Sequence, residues 1–120
     1  MVRPEFERVF DTLRRILAAY EPDLAVQSDD PDSYHLDTSR RVRGKPFLFG
    51  AVRLGKSYVS FHLMPVYVFP ALLAGISPAL KARMHGKSCF NFSRVEDVPV
   101  NELVRLTRAA FERYSAEGMV

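Results

Sequence analysis

The sequence predicts an α+β domain, a two-layer sandwich in which two long terminal helices pack on one face of a curved, largely antiparallel sheet. Three observations lead there. Apolar residues recur at helical spacing near both ends, the middle alternates apolar with polar residues, and the strand-like stretches cluster between the helices rather than alternating with them.

Residues 4–20 carry Phe6, Val9, Phe10, Leu13, Ile16, Leu17 and Tyr20 on one stripe. Pro4 suits a first turn, Glu5 and Glu7 face the positive end of the helix dipole, and Pro22 stops the helix. A short apolar piece at 24–27 leads into Ser28-Asp29-Asp30-Pro31-Asp32, a turn composition. Residues 34–38 return as a strand, and 40–46 form a polar loop. Strands at 47–54 and 58–64 are joined by the tight connection Leu54-Gly55-Lys56-Ser57. Val59, Phe61 and Leu63 alternate with Ser60 and His62, which marks a sheet with one wet face.

Residues 65–69 read as irregular and 70–75 as a single helical turn. Ser77-Pro78 caps a short helix reaching residue 84, which Gly86 ends. Residues 88–93 form another strand, with Phe90 and Phe92 on one side and Cys89 and Asn91 on the other. Asp97 is placed to cap a last helix, from about 100 to 114, that buries Leu103, Leu106, Ala110, Phe111 and Tyr114. The expected order is helix, four strands, short helices, one strand, helix.

Composition narrows the class. The 120 residues are 48% hydrophobic with nine Phe, enough to offset the ordering entropy of one domain spanning 1–120. One cysteine excludes a disulfide scaffold. The longest apolar stretch, 63–76, is short of a membrane span and is broken by Pro65, Pro70 and Gly75. Acids near the start replace the apolar run of a signal peptide, so a cytoplasmic location is expected. The net charge of +3 is uneven: residues 1–40 hold five Arg against nine Asp and Glu, and residues 41–120 hold twelve Lys and Arg against five acids.

Gly50-Ala51-Val52-Arg53-Leu54-Gly55-Lys56-Ser57 matches the phosphate-loop pattern G-x-x-x-x-G-K-[ST]. That chemistry needs a helix to begin at the Lys-Ser end, so that its amino terminus meets the phosphates. Here the next residues alternate as a strand up to Pro65. The segment therefore reads as a hairpin turn that needs Gly55 for its backbone angles, and no nucleotide is expected.

Other constellations remain open. Strand parity places His62, Cys89 and Asn91 on the wet face, with Lys87 in the parity of Cys89. A His/Cys pair is a seed for a transition metal or a nucleophile, weighed against a plain packing role for a lone cysteine. His35 and His85 have no evident partner. Asp23, Asp29, Asp30 and Asp32, with Glu21 and Asp37, supply hard oxygen ligands or simply make a solvated turn. Arg40, Arg41, Arg43 and Lys45, followed by Phe47 and Phe49, are a basic loop, with nucleic-acid binding the less favoured reading. Gly86-Lys87-Ser88 reads as a turn that touches an anion at most.

The run Tyr58-Val59-Ser60-Phe61-His62-Leu63-Met64-Pro65-Val66-Tyr67 is followed by Ser77-Pro78-Ala79-Leu80-Lys81-Ala82-Arg83-Met84 and by Gly86-Lys87-Ser88-Cys89-Phe90-Asn91-Phe92. With Leu103, Leu106, Thr107, Phe111 and Tyr114 in the final helix, these residues resemble the YdhG-like family of small bacterial proteins. The likeness covers 47–114 by motif and the first third by arrangement. It implies a frataxin-like fold and a frataxin-like iron chaperone or carrier working with iron–sulfur assembly proteins. The implied iron-binding acids fall among Glu5, Glu7, Asp11, Glu21, Asp23, Asp29, Asp30 and Asp32. Arg8, Arg14 and Arg15 share the first helix with several of them, and arginines so placed pair with neighbouring acids.

Two functions are therefore expected from the sequence, neither enzymatic. One is labile iron carriage through Asp23, Asp29, Asp30 and Asp32. The other is a small-molecule or anion-binding module on the open sheet face, using His62, Tyr67, Lys87, Cys89 and Asn91 with Arg53 and Lys56 nearby.

Overall fold

Helical spacing at the amino-terminal end yields α1 (Pro4–Ala18), whose apolar stripe from Phe6 to Leu17 is buried. The computed structural model describes residues 4–39 and 44–120, so Arg40, Arg41 and Arg43 of the basic loop lie outside the described residues. On the outer surface of α1, Arg8 pairs with Glu5 and Arg15 with Asp11, each at 2.8 Å. A 3-10 turn at Glu21–Asp23 then leads into the sheet.

Six strands follow: β1 (Leu24–Asp30), β2 (Ser33–Thr38), β3 (Leu48–Leu54), β4 (Val59–Leu63), β5 (Met84–His85) and β6 (Cys89–Phe92). They form one antiparallel sheet in the order β1-β2-β3-β4-β6-β5. The fold class is α+β, as expected. The acidic segment differs. Asp29 and Asp30 belong to β1 rather than to a turn, and Pro31-Asp32 alone makes the reversal. Pairing with β2 draws them in, at the cost of a register shift between Val26 and Ser28.

Between β4 and β5 lie α2 (Met64–Val68), a 3-10 turn at Pro70–Leu73 and α3 (Pro78–Lys81). The expected irregular stretch at 65–69 is thus helical, with Pro65 in the first turn, where its missing N–H costs no bond. Ser77 does cap α3, its Oγ accepting from the Leu80 N–H at 3.1 Å. That helix ends at Lys81, because Met84 and His85 pair with β6 as an unforeseen edge strand.

The last helix, α4 (Val100–Ala116), buries Leu103, Leu106, Thr107, Ala110 and Tyr114. Pro99, not Asp97, occupies its cap position, and Asp97 instead pairs with Arg83 at 3.4 Å. Both long helices share a core with the inward strand residues Tyr34, Leu36, Val52, Phe61, Leu63, Phe90 and Phe92. Each such side chain contributes about 1.5–3 kcal/mol on leaving water. An aromatic cluster of Tyr20, Phe49, Phe111 and Tyr114 ties α4 to β3, and the Tyr114 hydroxyl donates to the Leu48 carbonyl at 3.1 Å.

Two glycines set the geometry of β3. A Cβ on Gly50 would stand 2.9 Å from Leu17 Cδ2 and 3.2 Å from the His62 carbonyl oxygen, so α1 descends onto the sheet only because none is there. Gly55 lies in the β3–β4 hairpin, as predicted, but for another reason. Its φ is outside the left-handed region; a Cβ would instead stand 2.9 Å from the Tyr58 carbonyl that accepts its N–H. No helix begins at Ser57.

Candidate functional site

Strand alternation sends Ser33, His35 and Asp37 of β2, Ala51 and Arg53 of β3, Ser60 and His62 of β4, and Cys89 and Asn91 of β6 to the face away from the helices. Register then orders them into cross-strand rows. One row reads Ser28, His35, Ala51, His62, Cys89, His85. It holds every histidine of the chain and its one cysteine. The neighbouring row reads Asp30, Ser33, Arg53, Ser60, Asn91, with Ser60 Oγ donating to Asn91 Oδ1 at 2.9 Å.

A concavity of about 290 Å³ sits over the middle of these rows, lined by Ser33, His35, Ala51, Arg53, Ser60, His62 and Cys89 among others. A second, of about 310 Å³, is lined by Arg53, Gly55, Lys56, Ser57, Tyr58 and Ser60. Arg53 and Ser60 line both, so the two hollows adjoin along β3 and β4. Among the described residues Arg53 has no ion-pair partner.

The imidazoles are anchored from outside the hollow. His35 Nε2 lies 2.6 Å from Asp37 Oδ1, and His62 Nε2 shares a hydrogen bond of 2.8 Å with the hydroxyl of buried Ser88. Burial, with a smaller contribution from His35, holds His62 below the ordinary histidine range and so favours its neutral form. Burial also pushes the Cys89 thiol up, partly offset by a hydrogen bond from Ser88, which keeps it from the thiolate state a nucleophile needs.

The residues singled out from sequence therefore divide. His62 and Cys89 line the first hollow and Arg53 spans both, with Lys56 in the second. Asn91 is one row over and bonds Ser60. Tyr67, exposed on α2, and Lys87, in the β5–β6 turn, face each other instead, with Lys87 Nζ 6.0 Å from the Tyr67 ring centroid. His35 and Ser33 line the site without having been singled out as members, because their place depends on cross-strand register, which sequence does not display.

The acids do not gather. In β1 the period of two turns Asp29 to the helix side, beside Tyr34, and Asp30 to the open side, beside Ser33. Arg14 takes both oxygens of Asp29, and the Tyr34 hydroxyl donates to Glu21 at 2.5 Å. Asp23 and Asp32 are exposed in separate turns. Among the described residues no group of three or more His, Cys, Asp or Glu is placed to hold a metal ion. Nor, among them, is any helix long and apolar enough to cross a membrane.

No family model matches the chain, and neither a curated protein nor a solved structure matches it significantly.

Proposed function

We propose that this chain is a binding module for a small anionic molecule, held on the open face of the sheet. The observation that carries this reading is Arg53, without an ion-pair partner among the described residues, where two hollows meet, flanked by the hydroxyl of Ser33 and by neutral His62. A guanidinium without a carboxylate beside hydrogen-bond donors is what an anion requires. Burial holds the Cys89 thiol away from the thiolate state that nucleophilic attack needs, and binding is the reading that Arg53 supports.

Iron carriage, implied by the YdhG-like resemblance, is the weaker reading. A ferrous ion would have to displace Arg14 from Asp29 and Tyr34 from Glu21, and Asp30 lies on the opposite face.

Amide shift mapping with inorganic phosphate tests the proposal. Shifts confined to the strand residues around Arg53, Ser60 and His62, lost in Arg53→Gln, support it. Phosphate that moves no amide on the open face overturns it.

A further inference from the structure

Resting on the open-face reading above, we propose that the ligand is a flat aromatic ring carrying a phosphate group. The ring sits over Ala51 between His35 and His62, and the phosphate sits on Arg53 and Lys56.

The two hollows adjoin at Arg53 and Ser60 and differ in the charge of their lining. Its first lobe is floored by Ala51 and flanked by His35 and His62, which are its direct cross-strand neighbours. Adjacent strands lie about 4.8 Å apart, so the backbones bearing the two imidazoles are about 10 Å apart with only a methyl group between them. That is a slot for one flat ring. Both Nε2 atoms are already engaged, by Asp37 and Ser88, which holds the two imidazoles in place and leaves their Nδ1 atoms and ring faces for a ligand, and faces recognise other rings.

The second lobe is basic. Arg53 and Lys56 line it with Ser57 and Ser60, and no acid is among its lining residues. Two cations and the Ser57 hydroxyl suit a dianion with three acceptor oxygens better than a single carboxylate. Ala51 and Arg53 are two residues apart on one strand, about 7 Å, and the long side chains of Arg53 and Lys56 are what would reach back to a phosphate carried by a ring over Ala51. Side-chain charge holds this phosphate, because no helix amino terminus stands at Ser57.

Calorimetric titration with 1-naphthyl phosphate, 1-naphthol, inorganic phosphate and cyclohexyl phosphate provides the test. The aryl phosphate should bind at least about tenfold more tightly than each of the other three. Ala51→Leu should fill the slot and bring 1-naphthyl phosphate down to the affinity of inorganic phosphate, while inorganic phosphate itself binds unchanged. That unchanged binding also shows the variant is folded. Arg53→Gln should reduce 1-naphthyl phosphate to the level of 1-naphthol. Equal binding of aryl and inorganic phosphate, or indifference to Ala51→Leu, overturns the ring slot, and 1-naphthol binding as tightly as 1-naphthyl phosphate overturns the phosphate assignment. In each of these cases the phosphate shifts on the open face still stand, so failure here is distinct from failure of the binding-module reading.

Discussion

Arg14 holds Asp29 at two points, Nε to Oδ1 at 3.1 Å and Nη2 to Oδ2 at 2.8 Å, with the guanidinium carbon 4.5 Å from the centroid of the Tyr34 ring. The hydrogen bond to Asp29 raises the arginine's pKa more than burial lowers it. This contact joins the last turns of α1 to the edge strand β1, and it engages one of the acids among which the YdhG-like resemblance implies an iron site.

Asp29→Asn should therefore act on stability. With Asp29 half exposed, the loss should be at most about 1 kcal/mol by urea unfolding. Anaerobic calorimetry with ferrous iron should give the same weak signal for the wild-type chain and for the combined Asp29→Asn, Asp30→Asn, Asp32→Asn variant. A stoichiometric site lost in that variant would restore the iron reading.

His62 gives a pH signature with a definite sign. Its pKa is lower in the folded state than the ordinary 6.5, so the unfolded chain binds the extra proton first as pH falls. Its contribution is fully present above 6.5 and declines as the pH drops from there toward the depressed folded value. Urea midpoints measured between about pH 8 and about pH 5 should fall less steeply in His62→Gln than in wild type. Parallel curves would refute the assignment.

Gly50→Ala should be costly despite its small size. The added methyl meets Leu17 and the His62 carbonyl at once, and only the leucine is able to yield. A destabilisation of about 1–3 kcal/mol is expected from denaturant unfolding. Pairing with Leu17→Ala should relieve part of it, so the double variant should lose less than the sum of the two singles.

Thr107→Val should stabilise. Among the described residues Thr107 Oγ1 is buried without a hydrogen-bond partner, and valine has the same shape with no hydroxyl to satisfy. A gain of about 1 kcal/mol should appear as a raised urea midpoint with unchanged slope.

The α+β class was legible because it rests on periodicity, which Phe6 to Leu17 and Val59 to Leu63 display plainly. The hairpin at Gly55 was legible because the residues after Ser57 alternate. What depends on pairing was not. Met84 and His85 form a strand because β6 lies beside them, and Asp29 and Asp30 extend β1 because β2 does. The candidate site suffers most from this. His35, His62 and His85 are far apart along the chain, and their common row follows from four separate registers. Charge partners were half visible: Arg8 with Glu5 and Arg15 with Asp11 follow from helix spacing, whereas Arg14 with Asp29 requires the tertiary fold.

The outer margin of β1 leaves backbone donors and acceptors open over a seven-residue strand, an invitation for another molecule to dock its own strand there. The irregularity at Val26–Ser28 warps that margin, and the carboxylate of Asp30, which no ion pair among the described residues neutralises, disfavours a copy approaching in register. Bulge and charge together disfavour edge-to-edge pairing at this side of the sheet.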